Sequence, residues 1–326
     1  MPAPVRRSLL VLSCVALLAL ALAAAAAAGN GGFAPVAPAD RNESGITSIY
    51  WLILAITGAI FVLVEAALLL FIVRYRSAGR PREVEGPQVI GHTNLEIAWT
   101  VAPVLILAAI AAFVFAKVSG IKNAPAAANA ETIRIEGHQF YWQFDYPNGA
   151  ISVETMKIPF NRKIQLEITS ADVAHSWWVP ALGGKLDAIP GRVNRTSFRA
   201  DKLGTFRGQC AEFCGIQHAA MLMWVEVVPP EQYDSWVQQR RTDAVAVGRE
   251  TFDGVCAKCH GLAGEGDIGP SISQSPVLGD EKAMTLLLRE GRGKMPAVGK
   301  TWSDAQLKAT LDYLTKRFSS RGGSGG

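Results

Sequence analysis

The sequence predicts a membrane protein in three parts: a hairpin of two transmembrane helices, an antiparallel β domain and a C-terminal helical domain. Two apolar segments, 46–73 and 98–118, are each long enough for the roughly 20 residues that a helix needs to cross a bilayer. Apolar and polar residues alternate in runs between 132 and 228, which is typical of strands. Beyond 242 the pattern becomes polar and helical, with a glycine-rich middle.

The composition agrees with a chain that is partly solvated by lipid. Hydrophobic residues make up 49% of the 326 residues and charged residues only 18%. The net charge of +4 is small and is not concentrated in a basic run, so it gives no support for a nucleic-acid partner.

The first segment, 1–29, has the pattern of a secretory signal peptide. Arg6 and Arg7 precede an apolar run from Leu9 to Leu22, and an alanine tract follows. A retained membrane helix is the alternative, because the run is nearly long enough to span. Lipoprotein cleavage before Cys14 is disfavoured, because the apolar segment continues well past it.

The hairpin, 46–118, has an orientation that its flanking residues predict. Trp51 and Trp99 lie near helix ends, where aromatic rings favour the membrane interface. The connecting loop is rich in arginine and is therefore expected on the cytoplasmic side, which places both flanking regions outside a bacterial plasma membrane. Its arginines are Arg74, Arg76, Arg80 and Arg82.

Glu65 lies inside the first membrane segment, where a carboxylate must be protonated or partnered. We expect it to face another protein, either in a simple hydrogen bond between subunits or in proton movement.

The β domain is expected over 130–228 and is followed by a linker, a helical domain and a tail. Pro229 and Pro230 end the strand pattern, and a short helical linker over 229–241 contains Tyr233 and Trp236. The helical domain is expected over 242–318. A disordered tail is expected over 319–326.

The segment from Cys210 to Met221 contains two thiols, an imidazole, a thioether and a carboxylate within twelve residues. Soft and intermediate donors of this kind select copper over hard ions. His175 can join them if the β domain folds back. These donors are too many for one copper ion, whereas two thiolates bridging two copper ions would use them all. A Cys210–Cys214 disulfide and a zinc site are the alternatives.

The pattern Cys-x-Glu-x-Cys-x-x-x-His-x-x-Met after His-Ser-Trp resembles the dinuclear copper A signature of cytochrome c oxidase subunit 2. The resemblance covers about 46–236 and implies a two-helix hairpin followed by a cupredoxin-like antiparallel β-sandwich. It also implies magnesium binding by the Glu212 carboxylate at the boundary with subunit 1. The implied copper ligands are the side chains of His175, Cys210, Cys214, His218 and Met221 and the backbone carbonyl of Glu212.

Two further segments resemble the same family. In Leu95–Pro103, Glu96 corresponds to a glutamate at the mouth of a proton path, although a charge at a helix start is also stabilised by the helix dipole. The run Phe140, Tyr141 and Trp142 corresponds to the aromatic stretch that receives electrons from cytochrome c. Phe140 replaces the usual tryptophan, so Tyr141 or an attached haem domain would be the route, and core packing is the alternative role.

The sequence Cys256-Ala-Lys-Cys259-His260 is the attachment pattern of haem c: two thiols bind the haem covalently and the histidine is an axial ligand. The following histidine and the missing βαβ pattern argue against a thioredoxin-like redox pair. The domain is therefore expected to be an all-α c-type cytochrome.

Met295, in the segment Gly293–Ala297, is the expected second axial ligand, and Met284 in a helical run is its competitor. Gly248, Phe252 and Tyr313 fit the helix crossing of small cytochromes c. Ser303 and Gln306 form a capping box that begins the last helix.

Neither predicted membrane helix contains a histidine, so oxygen chemistry must lie on another subunit. We expect the electron-entry subunit of a caa3-type cytochrome c oxidase, which reduces O2 to water and pumps protons. Expected partners are subunit 1, subunit 3, membrane lipid, and an upstream cytochrome c or quinol–cytochrome c reductase.

Three alternatives remain. The equivalent subunit of a copper-containing nitric oxide reductase would contain the same copper domain. A stand-alone membrane-anchored electron carrier is disfavoured, because it would need only one membrane helix. A quinol oxidase subunit is disfavoured, because quinol oxidase relatives lack the copper ligands that this sequence has.

Overall fold

The computed structural model describes residues 34–75, 88, 90–122 and 130–319. The predicted signal peptide with Cys14, the loop arginines beyond Arg74, and residues 320–326 of the predicted tail lie outside the described residues. The chain divides into two compact units, 44–124 and the remainder.

The unit 44–124 contains most of two long apolar helices, α1 (Arg41–Arg74) and α2 (Thr93–Lys122). Both are long and apolar enough to cross a membrane. Most of their large apolar side chains are exposed, which suits contact with lipid or with another membrane subunit. The helices extend beyond the predicted apolar segments because polar residues continue the helical backbone at both ends.

The β domain is a sandwich of two five-stranded sheets, in the strand orders β3-β2-β1-β5-β8 and β4-β10-β9-β6-β7. Apolar residues of both sheets form a shared core that includes Ile133, Ile135, Leu166 and Ile168. The strands are β1 (Glu131–His138), β2 (Tyr141–Asp145), β3 (Ile151–Val153), β4 (Thr155–Pro159), β5 (Ile164–Ser170), β6 (His175–Trp178), β7 (Leu186–Ala188), β8 (Asn194–Phe198), β9 (Gly204–Cys210) and β10 (Leu222–Val228).

The predicted sandwich is confirmed and most of its strand pairs are antiparallel, as expected, but two pairs are parallel. Strand β1 pairs with β5 in parallel, and β4 pairs with β10 in parallel. The other strand pairs are antiparallel. Parallel pairs arise because the chain crosses between the sheets before it returns to a neighbouring position.

The predicted linker forms a helix, α3 (Pro230–Arg240), that packs on the sandwich. Tyr233 is buried in the core of the sandwich, and Trp236 packs against that core. The Asn148 side chain donates a hydrogen bond to the carbonyl oxygen of Val237 at 2.7 Å. The segment therefore belongs structurally to the β domain.

The C-terminal domain contains α4 (Ala244–Thr251), a π-helical turn (Phe252–Cys256), α5 (Ala257–His260), α6 (Glu281–Glu290) and α7 (Asp304–Ser319). Helices α4 and α7 cross at Gly248, where a Cβ atom would lie 2.3 Å from the carbonyl oxygen of Ala309. The rings of Phe252 and Tyr313 pack 5.9 Å apart beside this crossing, as expected.

Helix α7 begins as the capping pattern predicts, because Ser303 Oγ accepts a hydrogen bond from the Gln306 amide at 3.2 Å. It continues to Ser319, the first residue of the predicted tail.

Candidate functional site

One edge of the sandwich brings the predicted copper ligands together. His175 opens β6 and Cys210 closes β9, and these two strands are hydrogen-bonded neighbours. The loop from β9 to β10 carries Cys214, and a 3₁₀ turn over His218–Ala220 leads to Met221. The Cys210 amide donates to the Met221 carbonyl at 3.0 Å, which closes the base of this loop.

The donor atoms form one compact cluster. The two sulfur atoms, Cys210 Sγ and Cys214 Sγ, lie 4.0 Å apart. Cys210 Sγ lies 3.8 Å from His175 Nδ1, and Cys214 Sγ lies 3.6 Å from His218 Nδ1. Met221 Sδ is 3.7 Å from Cys214 Sγ. Each thiol therefore has its own imidazole.

This geometry differs from a disulfide, because bonded sulfur atoms lie only about 2.05 Å apart. Both cysteines are free thiols. Since metal–thiolate bonds are about 2.3 Å long, sulfur atoms 4.0 Å apart are close enough for one ion to bond both. Sulfur, imidazole and thioether donors suit copper, and structural zinc sites do not usually include methionine.

The protonation of the two thiols also fits a bound cation. Burial alone would raise the pKa of Cys210, but its contact with His175 lowers that pKa to about 7. Burial raises the pKa of Cys214 to about 12, and the adjacent Cys210 adds to the rise. Two neighbouring thiolates therefore need positive charge to coexist.

Asp172, which the sequence analysis does not name, contacts the ring of His175. Its Oδ1 lies 2.8 Å from His175 Nε2, on the ring nitrogen opposite the one that faces Cys210. Burial lowers the pKa of His175, but Asp172 and Cys210 together outweigh this effect and the net change is upward. A carboxylate that fixes a ligand histidine is typical of metal sites. The spacing Asp-x-x-His could have indicated it.

The loop between the two cysteines is exposed at its tip. Glu212 places its backbone oxygen 3.2 Å from Cys210 Sγ, and its side chain lies at the surface. Phe213 and Ile216 on the same loop are also exposed. The loop therefore offers a carboxylate and apolar side chains to a partner.

The aromatic run lies between the cluster and the C-terminal domain. The Trp142 ring packs against His175 edge-on, with centroids 5.8 Å apart. Tyr141 is buried, donates to the carbonyl of Val298 at 2.7 Å and accepts from Trp302 Nε1 at 2.8 Å. Phe140 is half-buried against the sandwich core. All three contribute packing, and an electron-transfer role stays a prediction.

Glu136 on β1 forms a second set of contacts between the β-sandwich and the C-terminal domain. Thr301 Oγ1 donates to Glu136 Oε2 at 2.7 Å, and His138 Nε2 lies 3.2 Å from the same oxygen. Burial alone would raise the pKa of Glu136, but His138, Thr301 and Arg134 lower it to about 2.

The predicted haem-attachment residues lie on consecutive helical turns. Cys256 ends the π-helical turn, and Cys259 and His260 lie on α5. His260 Nδ1 lies 2.6 Å from the carbonyl oxygen of Pro270, to which it donates when protonated. This contact leaves Nε2 available as a ligand to iron. Burial raises the pKa of Cys256 to about 12.

A second apolar core lies mainly in the C-terminal domain and includes Phe252, Leu288 and Trp302, and both candidate axial methionines pack in or against it. Met284 is buried on α6, and Met295 is half-buried in a bridged turn with Arg292. The choice of Met295 as the axial ligand stays a prediction.

Glu96 lies near the start of α2. Its Oε1 accepts a hydrogen bond from the His92 amide at 3.1 Å, which caps the helix. This contact supports the helix-start role, and a proton-path role stays a prediction.

Three family models match successive parts of the chain. Residues 32–116 match the transmembrane domain of cytochrome c oxidase subunit II, and residues 150–228 match its periplasmic domain. Residues 243–314 match the model described as cytochrome c oxidase, cbb3-type, subunit III.

Individual proteins match over about two thirds of the chain. The chain is 36% identical to cytochrome c oxidase subunit 2 of Alkalihalophilus pseudofirmus over 67% of its length and 68% of that protein. It is 34% identical to cytochrome c oxidase subunit 2 of Cereibacter sphaeroides over 65% of its length and 81% of that protein. The crystal structure of the periplasmic domain of cytochrome oxidase subunit II from Bradyrhizobium japonicum matches with 37% identity and a TM-score of 0.35, over 36% of this chain and 97% of that one.

Proposed function

Because this chain belongs to the cytochrome c oxidase subunit 2 family, we propose that it takes electrons at a covalent haem c and passes them through a dinuclear copper A centre to subunit 1. Subunit 1 then reduces O2 to water and pumps protons. The family assignment makes the chain an electron-entry subunit of a respiratory oxidase, with membrane helices and an extracytoplasmic domain.

The observation that carries the proposal is the pair of buried thiols 4.0 Å apart, each with an imidazole beside it. A dinuclear copper centre supplies one-electron transfer when bound there. Two features of the chain would hold donors in place: strand pairing positions the Cys210 thiol, and Asp172 contacts the ring of His175. The proposed ligands are His175, Cys210, Cys214, His218, Met221 and the backbone carbonyl of Glu212.

The second cofactor is one haem c, bound covalently by Cys256 and Cys259. His260, oriented by the Pro270 carbonyl, and Met295 would be its axial ligands. The apolar side chains of the second core would exclude water from the haem.

The expected surroundings follow from the hairpin and from the exposed loop. We place the chain in a bacterial plasma membrane as a multi-pass protein, with subunits 1 and 3 and lipid around it. Glu212 would bind magnesium at the boundary with subunit 1, and Glu96 would lie at the entrance of a proton path. The electron donor would be cytochrome c or a quinol–cytochrome c reductase.

The test uses the purified oxidase complex with Cys214→Ser in this chain. We expect loss of copper and of oxygen consumption, with the haem c absorbance retained. Ser176→Ala is the matched control, because this buried hydroxyl adjoins His175 and has no hydrogen-bond partner within the described residues. Full oxygen consumption by the Cys214→Ser complex would refute the proposal.

The axial ligand has its own matched pair of variants. Met295→Leu should remove the spectral features of a methionine-ligated haem, whereas Met284→Leu should retain them. The reverse pattern would assign the ligand to Met284.

A further inference from the structure

The predicted haem-attachment segment, 256–260, lies directly against the loop 211–221 between β9 and β10, which we call the copper loop. Gln217 is the half-buried residue immediately before His218, and its side chain points toward α5. Its Nε2 lies 3.5 Å from Cys259 Sγ and 3.5 Å from the carbonyl oxygen of Lys258. One side chain therefore spans the space between a haem-binding sulfur and a proposed copper ligand.

A second contact holds the same segment from the other side. Lys258, between the two haem-binding cysteines, donates from Nζ to the carbonyl oxygen of Phe140 at 2.8 Å and forms an ion pair with Glu154. Both charged side chains are more than four-fifths buried. Burial raises the pKa of Glu154, and the opposing effect of Lys258 does not fully cancel that rise.

Glu154 has a backbone conformation that is unusual for a residue other than glycine. Glu154 joins β3 of one sheet to β4 of the other and has a φ of 61°, in the left-handed region that favours glycine. A non-glycine residue in this conformation is unfavourable unless its surroundings compensate. The ion pair with Lys258 supplies a reason for glutamate at this position.

We propose that Gln217 couples the haem to the copper centre, and that the Lys258–Glu154 ion pair positions the haem sulfur against it. The inference rests on the proposed function. From Cys259 Sγ the path crosses one 3.5 Å contact to the Gln217 side chain and is then covalent to His218. With both cofactors bound, this path would carry one electron from the haem, which would be oxidised by one electron, to the copper pair, which would be reduced by one electron. Gln217 undergoes no net change and transfers no proton.

The aromatic run 140–142 connects the β-sandwich with the C-terminal domain through hydrogen bonds, separately from the Gln217 route. The Tyr141 hydroxyl forms hydrogen bonds with Val298 and Trp302 of the C-terminal domain, so its described contacts hold this domain against the β-sandwich. Phe140 contributes its carbonyl oxygen to Lys258. The route through Gln217 therefore does not require the tryptophan that Phe140 replaces.

The first experiment measures intramolecular electron transfer in the complete oxidase after flash reduction of the haem. Gln217→Leu should slow transfer to copper several-fold, with the copper and haem spectra unchanged. Gln165→Leu is the matched control, because Gln165 is a half-buried glutamine on β5, in the sheet that does not carry Cys210, and it should leave the rate unchanged. A wild-type rate in Gln217→Leu with intact spectra would overturn the inference.

The second experiment measures the chemical accessibility of Lys258 and does not depend on electron transfer. Its substitution, at Glu154, lies outside the copper loop. Acylation of Lys258 in the full chain, read by mass spectrometry, should be slow in the native protein and several-fold faster in Glu154→Gln. Glu226→Gln, which removes the partner of Lys157 on the neighbouring strand, should leave Lys258 protected. If Lys258 is as strongly protected in Glu154→Gln as in the native protein, the positioning role is wrong.

The two proposals fail in distinguishable ways. Absence of copper or haem spectra in the wild-type complex would refute the proposed function. Loaded cofactors with transfer insensitive to Gln217 would refute only this inference. If the Gln217→Leu protein fails to bind copper, the rate of haem-to-copper electron transfer in Glu154→Gln tests the inference instead, and a wild-type rate there would refute it.

Discussion

Replacing Tyr141 with phenylalanine removes one oxygen atom from the boundary between the β-sandwich and the C-terminal domain. The side chain is fully buried, donates to the Val298 carbonyl at 2.7 Å and accepts from Trp302 Nε1 at 2.8 Å. Phenylalanine keeps the ring that stacks on His138 with centroids 4.4 Å apart. The substitution therefore tests the two hydrogen bonds with little change in packing.

The expected loss of stability follows from those two bonds. Each contributes about 1 kcal/mol net, and a buried group left unsatisfied costs about 1–3 kcal/mol. Trp302 is buried, so its indole N–H would lose its partner without access to water. We therefore expect a loss of about 2–4 kcal/mol. For a domain of this size that loss lowers the unfolding midpoint by roughly 10 °C or more.

The assay is thermal unfolding of the full chain in detergent, followed by haem absorbance. Tyr146→Phe is the matched control, because its hydroxyl lies 3.2 Å from the Lys157 carbonyl and 2.9 Å from the Lys157 amide within the sandwich. It should leave the haem-domain transition in place. If both variants have the native haem-domain midpoint, the described contact with Tyr141 does not form.

Three further predictions concern other contacts. Asp172→Asn should weaken copper binding about 10- to 100-fold, measured by competition with a chelator, because it loosens the ring of His175; native affinity would contradict this role. Gly248→Ala should destabilise the C-terminal domain by about 1–3 kcal/mol in denaturant unfolding, because its methyl group would overlap the Ala309 carbonyl; an unchanged midpoint would contradict the crossing. The pKa of Glu136 is lower in the folded protein than its ordinary value of 4.5, so the ionised carboxylate should stabilise the folded state above pH 4.5. This stabilisation should be lost as the pH falls from 4.5 toward 2. Glu136→Gln should remove this pH dependence of the unfolding free energy, and a persistent slope would exclude Glu136 as its source.

The sequence was most informative where chemistry and local spacing coincide. The thiols and imidazole between Cys210 and His218 lie within nine residues, so their convergence needs only one loop. His175 required the sandwich to fold, and the pairing of β6 with β9 brings it into the cluster. The crossing at Gly248 was predictable because only glycine allows so close an approach of two helices.

Strand direction and the role of the linker were less predictable. Alternation of apolar residues shows that 164–168 is a strand, but it does not show that β5 runs parallel to β1. Pro229 and Pro230 end the strand pattern and suggested a separate linker. Tyr233 nevertheless lies in the sandwich core, because a tyrosine ring on one helix face can cover an open end of the sheets.

Contacts between distant segments could not be predicted from local patterns. Gln217 and Lys258 are 41 positions apart, and Tyr141 and Trp302 are 161 apart. The Gln217 side chain reaches the Lys258 backbone carbonyl, and the side chains of Tyr141 and Trp302 meet, only because the C-terminal domain packs on β2 and on the copper loop. The ends of the domains and the individual ligand roles stay predictions, because the matched families place domains and not ligand atoms.

The central claim is that the two thiols hold a pair of copper ions beside a covalent haem. Metal analysis of the purified full chain, combined with thiol counting after denaturation, tests it most directly. We predict two copper ions and one iron per chain, with Cys210 and Cys214 free to react once copper is removed. A chain without copper in which these two cysteines are bonded to each other would contradict the account.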